Sequence, residues 1–203
     1  MKVEFIATGD LKPAPFNPVT RTTDKVLKDL IVSMQKDGFW SHSPIVITKD
    51  NFIADGHRRW TTAKLLGITK IPCLRTSKDL ETAWAEINST MRTVGTRDVY
   101  QAYRDGLRAI PTGNAGKNLS YVLNKYGEEM VIFCAENGVS KSPIQWAENV
   151  ARYIGWDVDR IGDIVRWMVT NRMIHTARVA MESNYSRAKF AQRIEENRPL
   201  EFA

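Results

Sequence analysis

The most informative part of the sequence is the stretch Ile53-Ala54-Asp55-Gly56-His57-Arg58-Arg59-Trp60. The apolar residues before Gly56 predict a buried strand, and the spacing after it predicts a helix. A glycine at such a junction lets a ligand approach the backbone, and the first amides of the helix direct N–H donors at that ligand. The helix dipole disfavours cations at this end, so the cluster His57, Arg58 and Arg59 favours a bound phosphate. Solvated charges on an ordinary first turn are the alternative.

The segments on either side of this turn predict a domain that mixes strands and helices. Short apolar runs separated by turn residues are typical of strands, and apolar residues three and four apart are typical of helices. Four segments carry these predictions: a helix between Asp24 and Gly38, a hairpin over residues 44–54, the helix after Gly56, and a strand over residues 71–74.

After about Asp79 the apolar residues keep helical spacing almost everywhere. Residues 111–116, Pro-Thr-Gly-Asn-Ala-Gly, are the most loop-like stretch, and a flexible connection is expected there. We therefore predict an α+β chain with two domains. A mixed N-terminal domain is expected over residues 1–95, and an all-α C-terminal domain over residues 96–203.

Composition limits the classes of partner and site. The 203-residue chain has a formal net charge of +6, which favours a polyanionic partner such as DNA, although a basic balance can be incidental. Cys73 and Cys134 lie far apart in apolar contexts without metal-ligand spacing, so both are expected in the core and no metal site is predicted. No stretch approaches the roughly 18 apolar residues of a membrane span, so we expect a cytoplasmic protein without a membrane partner.

Several motifs around the Gly56 turn occur in the order found in the ParB N-terminal domain. They are Asn17-Pro18-Val19-Thr20-Arg21, Gly38, Pro44-Ile45-Val46-Ile47, the run from Ile53 to Gly67, and Ile71-Pro72. Over roughly residues 5–75 the sequence closely resembles this family. The Gly-x-Arg-Arg turn is weak evidence alone, but it is specific when Ala, Gly and Ile-Pro follow it.

The resemblance implies a ParB/sulfiredoxin-like fold that binds a nucleoside triphosphate with Mg²⁺. In ParB proteins the nucleotide is CTP. His57 stands where that family has Glu, and this form is more similar to the wider superfamily, which includes nucleotide-dependent kinases, so ATP stays open as well. Carried over by position, the nucleotide-binding residues are Asn17, Arg21, Gly56, His57, Arg58 and Arg59.

A later segment resembles the Glu-Asn-x-x-Arg motif with which ParB proteins bind metal and nucleotide. Its spacing is looser here, and a solvated helix end is the alternative. The residues concerned are Glu86, Asn88 and Arg92.

Residues 129–154 match the spacing of a helix-turn-helix, with Cys134 in the first helix, Gly138 in the turn and Ile144 in the second helix. Any two helices joined by a glycine turn satisfy this pattern about as well. ParB proteins carry a helix-turn-helix after the nucleotide domain, which favours DNA contact here, whereas the acidic residues Glu128, Glu129, Glu136 and Glu148 count against it. The side chains expected to face DNA are Ser140, Lys141, Ser142, Gln145, Asn149 and Arg152.

Three hypotheses on function follow. The first is a ParB-like DNA-binding protein that acts in partition or regulation, in a plasmid or phage setting, with nucleotide binding biasing a conformational switch and with homodimer formation as a further expectation. The second is an enzyme, a nuclease or phosphotransferase that uses His57 with Asp55 or Glu86. The third is a regulatory protein that keeps the fold but has lost nucleotide binding.

Overall fold

The computed structural model describes residues 2–18, 24–90 and 95–202. The chain divides into two compact units, Met1–Lys117 and Asn118–Ala203. Helix Thr96–Arg104 groups with the first unit. The predicted boundary after residue 95 stays a prediction.

The first unit contains a four-stranded mixed sheet. In chain order the strands are β1 (Val3–Ala7), β2 (Ile45–Ile47), β3 (Ile53–Asp55) and β4 (Lys70–Arg75). The spatial order is β1-β4-β2-β3, with β2 parallel to β4 and the other two pairs antiparallel. The hairpin predicted over residues 44–54 is confirmed, because β2 pairs with β3 and Asn51 takes a left-handed conformation (φ 66°) in the turn between them.

Four helices accompany the sheet: α1 (Asp24–Asp37), α2 (His57–Leu65), α3 (Leu80–Thr90) and α4 (Thr96–Arg104). Helix α1 packs against α2, and α3 packs against β3. One hydrophobic cluster joins the sheet to α2, and it consists of Leu11, Ile45, Ile47, Ile53, Ala63, Ile71 and Cys73. Half-buried Trp60 packs against this cluster and donates its indole N–H to the Thr8 carbonyl at 2.9 Å. This core therefore fixes both elements that flank Gly56.

The remaining helices are α5 (Asn114–Glu136), α6 (Lys141–Ile154), α7 (Ile161–Thr170), α8 (Ile174–Glu182) and α9 (Arg187–Glu195). In the second unit α6 packs against α7, α8 and α9, around buried Ile144, Val150 and Phe190. The described residues after Arg75 form helices and no strand. The predicted fold class, a mixed α+β region followed by helices, is thus confirmed. Among the described residues, no helix is both long enough and apolar enough to cross a membrane.

Two features of α5 differ from the sequence-based expectation. The loop expected over residues 111–116 ends at Gly113, because α5 already begins at Asn114. The backbone at Gly116 lies so close to Pro111 that a Cβ on Gly116 would be 1.6 Å from the Pro111 carbonyl oxygen. At Gly127 the helix is interrupted by a φ of 80° and a ψ of 178°, a conformation that essentially only glycine adopts.

Candidate functional site

Gly56 forms the turn between β3 and α2. Its φ of 100° and ψ of 17° are left-handed, and a Cβ there would lie 3.0 Å from Ile45 Cγ1 and 3.1 Å from an Arg59 guanidinium nitrogen. Any other residue would be both strained and crowded. Helix α2 starts directly afterwards, where the Trp60 amide donates to the Gly56 carbonyl at 2.9 Å. The strand–glycine–helix turn predicted from the sequence is therefore present.

Arg59 is buried, with 8% of its surface exposed. Its guanidinium donates to the Ser43 carbonyl, to Ser43 Oγ at 2.8 Å, to the Pro44 carbonyl at 3.1 Å and to Asp55 Oδ2 at 3.0 Å. Charge-assisted bonds of this kind are among the stronger hydrogen bonds in proteins. Arg59 therefore links the start of α2 to the segment that leads into β2 through hydrogen bonds. Its contact with a phosphate stays a prediction.

His57 bonds to the N-terminal segment of the chain. Its Nε2 accepts a hydrogen bond of 3.0 Å from the Ala14 amide, so this nitrogen carries no proton in the arrangement observed. Donation from His57 to a ligand would have to come from Nδ1. The contact observed for His57 is thus a hydrogen bond to the backbone of the N-terminal segment.

A pocket of about 370 Å³ opens at this turn. One side is formed by residues 54–59, including half-buried Arg58 in the first turn of α2. Another side is apolar and consists of Leu30, Trp40, Trp84 and Ile87. Polar groups complete the lining at Asn17, Ser43 and Asn88. The pocket thus combines a cationic helix start with an aromatic wall.

Of the other predicted site residues, some line the pocket and others do not. Asn17 and Asn88 line the pocket, and buried Asn88 donates from Nδ2 to the Trp84 carbonyl at 2.8 Å. Glu86 lies on the exposed side of α3 in an ion pair with Lys78. Arg21 and Arg92 lie outside the described residues.

Six lining residues were not predicted as site residues from the sequence: Leu30, Trp40, Ser43, Ala54, Trp84 and Ile87. Leu30, Trp84 and Ile87 sit on helices at apolar spacing, which gives the same signal for core packing as for a cavity wall. Trp40 and Ser43 lie in an irregular segment between Gly38 and β2. The signal that the sequence offered was an aromatic residue beside small polar residues in this segment.

Metal binding by protein ligands alone receives no support from the described parts of the chain, where no three His, Cys, Asp or Glu side chains cluster closely enough to hold an ion. Mg²⁺ at nucleotide sites is held mainly by phosphate and water, with one or two carboxylates. Asp55 lines the pocket and fits that lesser requirement, although it also pairs with Arg59.

The region proposed as a helix-turn-helix lies entirely within the second unit. Gly138 has a φ of 61°, and the Val139 amide donates to the Cys134 carbonyl at 2.8 Å, which closes the turn between α5 and α6. Cys134, Val139 and Ile144 are buried. Burial raises the pKa of Cys134 to about 12, so the thiol stays neutral as a core group. The turn and its packing match the predicted spacing, and DNA contact stays a prediction.

Helix α6 presents a polar face. Ser142, Gln145 and Arg152 are exposed, whereas Ser140, Lys141 and Asn149 are half-buried. Asn149 Oδ1 accepts from Arg152 at 3.2 Å, and Lys141 lies 4.9 Å from the centre of the Tyr121 ring.

Glu148 on α6 is hydrogen-bonded to side chains of α5. It accepts hydrogen bonds from the hydroxyls of Tyr121 and Tyr126 and from Lys125 Nζ at 3.0 Å. Burial alone would raise the pKa of Glu148, but these hydrogen bonds outweigh it and hold the pKa below its usual value. The carboxylate is therefore paired within the unit, so its negative charge counts less against DNA contact.

Comparison with known protein families finds a match in the first part of the chain. The family model for the ParB N-terminal domain matches residues 1–91. Among curated proteins, none matches the sequence.

Solved structures with detectable similarity are distant. C-terminally truncated ParB from Caulobacter crescentus complexed with CTP-γ-S is 17% identical, with 97% of this chain and 99% of that chain covered and a TM-score of 0.39. The same protein complexed to the centromeric parS site is 14% identical, with coverage of 95% and 99% and a TM-score of 0.41. A pNOB8-like ParB N-domain is 17% identical, with coverage of 82% and 80% and a TM-score of 0.42.

The matched segment runs from β1 to the end of α3 and includes the Gly56 turn. Residues 1–91 of this chain are thus similar in sequence to the ParB N-terminal domain.

Proposed function

We propose that this chain is a nucleotide-binding, DNA-contacting protein of the ParB type, acting in DNA partition or regulation. The observation that carries the proposal is the pocket at the start of α2, where the glycine turn, the helix start and Arg58 meet. The ligand is a nucleoside triphosphate with Mg²⁺, and CTP is the first candidate because residues 1–91 match the model of the ParB N-terminal domain.

The shape and charge of the pocket suit such a ligand. Its volume of about 370 Å³ lies within the usual range for small-molecule sites, about 300–1,000 Å³. A helix N-terminus with an adjacent Arg favours phosphate groups, and an apolar aromatic wall favours a flat base. The first unit also carries the net charge of the protein, since it holds 18 Lys and Arg against 12 Asp and Glu.

The direct test is calorimetric titration of the full chain with CTP, ATP, GTP and ADP, each with and without magnesium. Selective binding of CTP supports a ParB-type site, and selective binding of ATP moves the assignment towards a phosphotransferase. If no nucleotide binds at millimolar concentration, the proposed ligand class is wrong.

The geometry gives less support to an enzyme built on the three side chains considered for catalysis. His57 Nε2 accepts from the Ala14 amide, Asp55 pairs with Arg59, and Glu86 lies on the exposed side of α3. A general base must reach the proton that it removes, and Glu86 is not among the described residues that line the pocket with Asp55 and His57. A nucleotide-binding role therefore accounts better for the arrangement than a nuclease does.

For DNA contact we propose the exposed face of α6. Its support is the closed turn at Gly138, the side chains Ser142, Gln145 and Arg152 at the surface, and the internal pairing of Glu148. The second unit has 11 Lys and Arg and 11 Asp and Glu, so attraction to phosphates depends on local arrangement rather than on net charge.

Arg152→Ala should weaken binding to duplex DNA several-fold, because one phosphate contact is lost, and should lower the slope of log affinity against log salt by about 1. Fluorescence anisotropy with a labelled duplex over a series of salt concentrations measures both quantities. Arg198→Ala is the matched control, since it removes another exposed arginine from the same unit outside α6. Equal losses in both variants would argue against α6 as the contact face.

A further inference from the structure

We propose that Trp40 is the platform on which the base of the bound nucleotide stacks, and that Arg59 is the positioning residue that holds this platform beside the phosphate turn. This inference rests on the proposed nucleotide site. It adds that the base of the ligand contacts Trp40, beside the turn that binds the phosphates. It concerns the irregular segment between Gly38 and β2.

The segment forms a turn that is closed on itself. The Ser43 amide donates to the Trp40 carbonyl at 3.1 Å, which fixes the path of residues 40–43. Arg59 then donates to both the carbonyl and the hydroxyl of Ser43, and with the same guanidinium to Asp55 at the end of β3. Trp40 is therefore carried by a turn that is bonded to the first turn of α2.

The ring of Trp40 is supported on one side. The indole and the His42 imidazole lie nearly parallel, with an interplanar angle of 17° and 6.0 Å between ring centres. Trp40 lines the pocket, whereas the described lining does not include His42, so Trp40 is the member of the stacked pair on the pocket side. A third flat group on that side would continue the stack.

The second tryptophan of the wall is less suited to this role. Trp84 is 1% exposed and packs edge-to-face against Phe16, with ring centres 5.8 Å apart and an interplanar angle of 88°. Its ring has almost no accessible surface, whereas Trp40 is only half-buried. Trp84, Leu30 and Ile87 then supply an apolar surround, and Trp40 supplies the accessible aromatic face.

Stacking on an aromatic ring tolerates every base, because every base has a π face. Trp40 therefore contributes affinity for the nucleoside part of the ligand in general. Discrimination between bases falls to the polar lining groups of Asn17, Ser43 and Asn88.

The experiment compares nucleotide with a ligand that has no base. Wild type, Trp40→Ala, Trp40→Leu and Trp40→Phe are titrated by calorimetry with the nucleotide that the wild type binds best and with inorganic tripolyphosphate. We expect Ala and Leu to lower nucleotide affinity about tenfold or more and Phe to retain most of it, while tripolyphosphate affinity stays unchanged in all three. Trp156→Ala, which removes a half-buried tryptophan from the second unit, is the control and should bind both ligands as the wild type does.

Loss of a structural tryptophan would give a different pattern. The proposal is overturned if Trp40→Ala binds nucleotide as well as the wild type, if nucleotide and tripolyphosphate affinity fall together, or if Leu restores binding as fully as Phe. The Phe and Leu variants keep an apolar side chain in place, so they decide the question even if the Ala variant unfolds. A wild type that binds tripolyphosphate but no nucleotide overturns this inference while retaining an anion site, and a wild type that binds neither overturns the proposed function as well.

Discussion

Replacing Arg58 by alanine should lower the affinity of the chain for nucleoside triphosphate by about 10- to 100-fold. Arg58 lies in the first turn of α2 and lines the pocket. A hydrogen bond to a charged group contributes about 1.5–3 kcal/mol, and each 1.4 kcal/mol corresponds to about a factor of ten in affinity. The loss should extend to inorganic tripolyphosphate, because the contact is with the phosphates. Calorimetric titration at constant magnesium measures both ligands.

Lys64→Ala is the matched control for Arg58→Ala. Lys64 lies on the same helix and is exposed, with its ammonium 4.7 Å from the centre of the Trp60 ring. Its removal changes the net charge equally but leaves the pocket lining intact, so affinity should change by no more than about twofold. Thermal unfolding of each variant separates loss of binding from loss of fold. Wild-type affinity in Arg58→Ala, or an equal loss in Lys64→Ala, would remove Arg58 from the proposed site.

Gly116→Ala should destabilise the chain by about 3 kcal/mol, one of the largest effects expected from a single methyl group. The added Cβ would lie 1.6 Å from the Pro111 carbonyl oxygen and 2.6 Å from its carbonyl carbon. Both are backbone atoms, so relief requires the chain itself to move. A urea denaturation curve followed by far-ultraviolet circular dichroism should show a clearly lower midpoint.

Gly113→Ala provides the comparison, because a Cβ at Gly113 would meet nothing within 4 Å of it among the described residues. This variant should unfold within about 0.5 kcal/mol of the wild type. The two substitutions are chemically identical and three residues apart, so their difference isolates the contact with Pro111. Equal midpoints for the two variants would mean that the backbone accommodates a Cβ at Gly116 without cost and would contradict the prediction.

The same segment shows why composition alone misplaces an element boundary. Residues 111–116 have the composition of a loop, yet α5 begins at Asn114. The close approach of Pro111 and Gly116 is compatible with a helix only because Gly116 has no side chain. The sequence does not distinguish a glycine that permits a tight contact from a glycine that terminates a helix. The contact that distinguishes them becomes visible only in three dimensions.

The turn at Gly56 was predictable because its determinants are local. Apolar residues before it, helical spacing after it and a single glycine between them specify strand, turn and helix within a short window. The helical character of the second unit was predictable for the same reason, since Ile161, Ile164, Val165 and Met168 repeat at the helical period and all are buried.

The role of Arg59 was not predictable from its neighbours. Its partners Ser43 and Pro44 lie 16 and 15 residues away along the chain. A charged residue in a first turn gives the same pattern whether its side chain is solvated or buried. Likewise, helical spacing correctly indicates that Trp84 is inside, but it does not reveal that a cavity lies beside that ring.

The buried arginine also bears on how such chains diverge. Arg59 joins Ser43, Pro44 and Asp55, so its loss would harm the folded state whether or not a ligand is used. Selection removes substitutions that take a protein below the stability it needs, and it tolerates those that do not. A lineage that abandons its ligand is then free to drift at Arg58 while Arg59 is retained. Related domains that no longer bind a ligand should therefore keep the arginine at the position of Arg59 and lose the one at the position of Arg58.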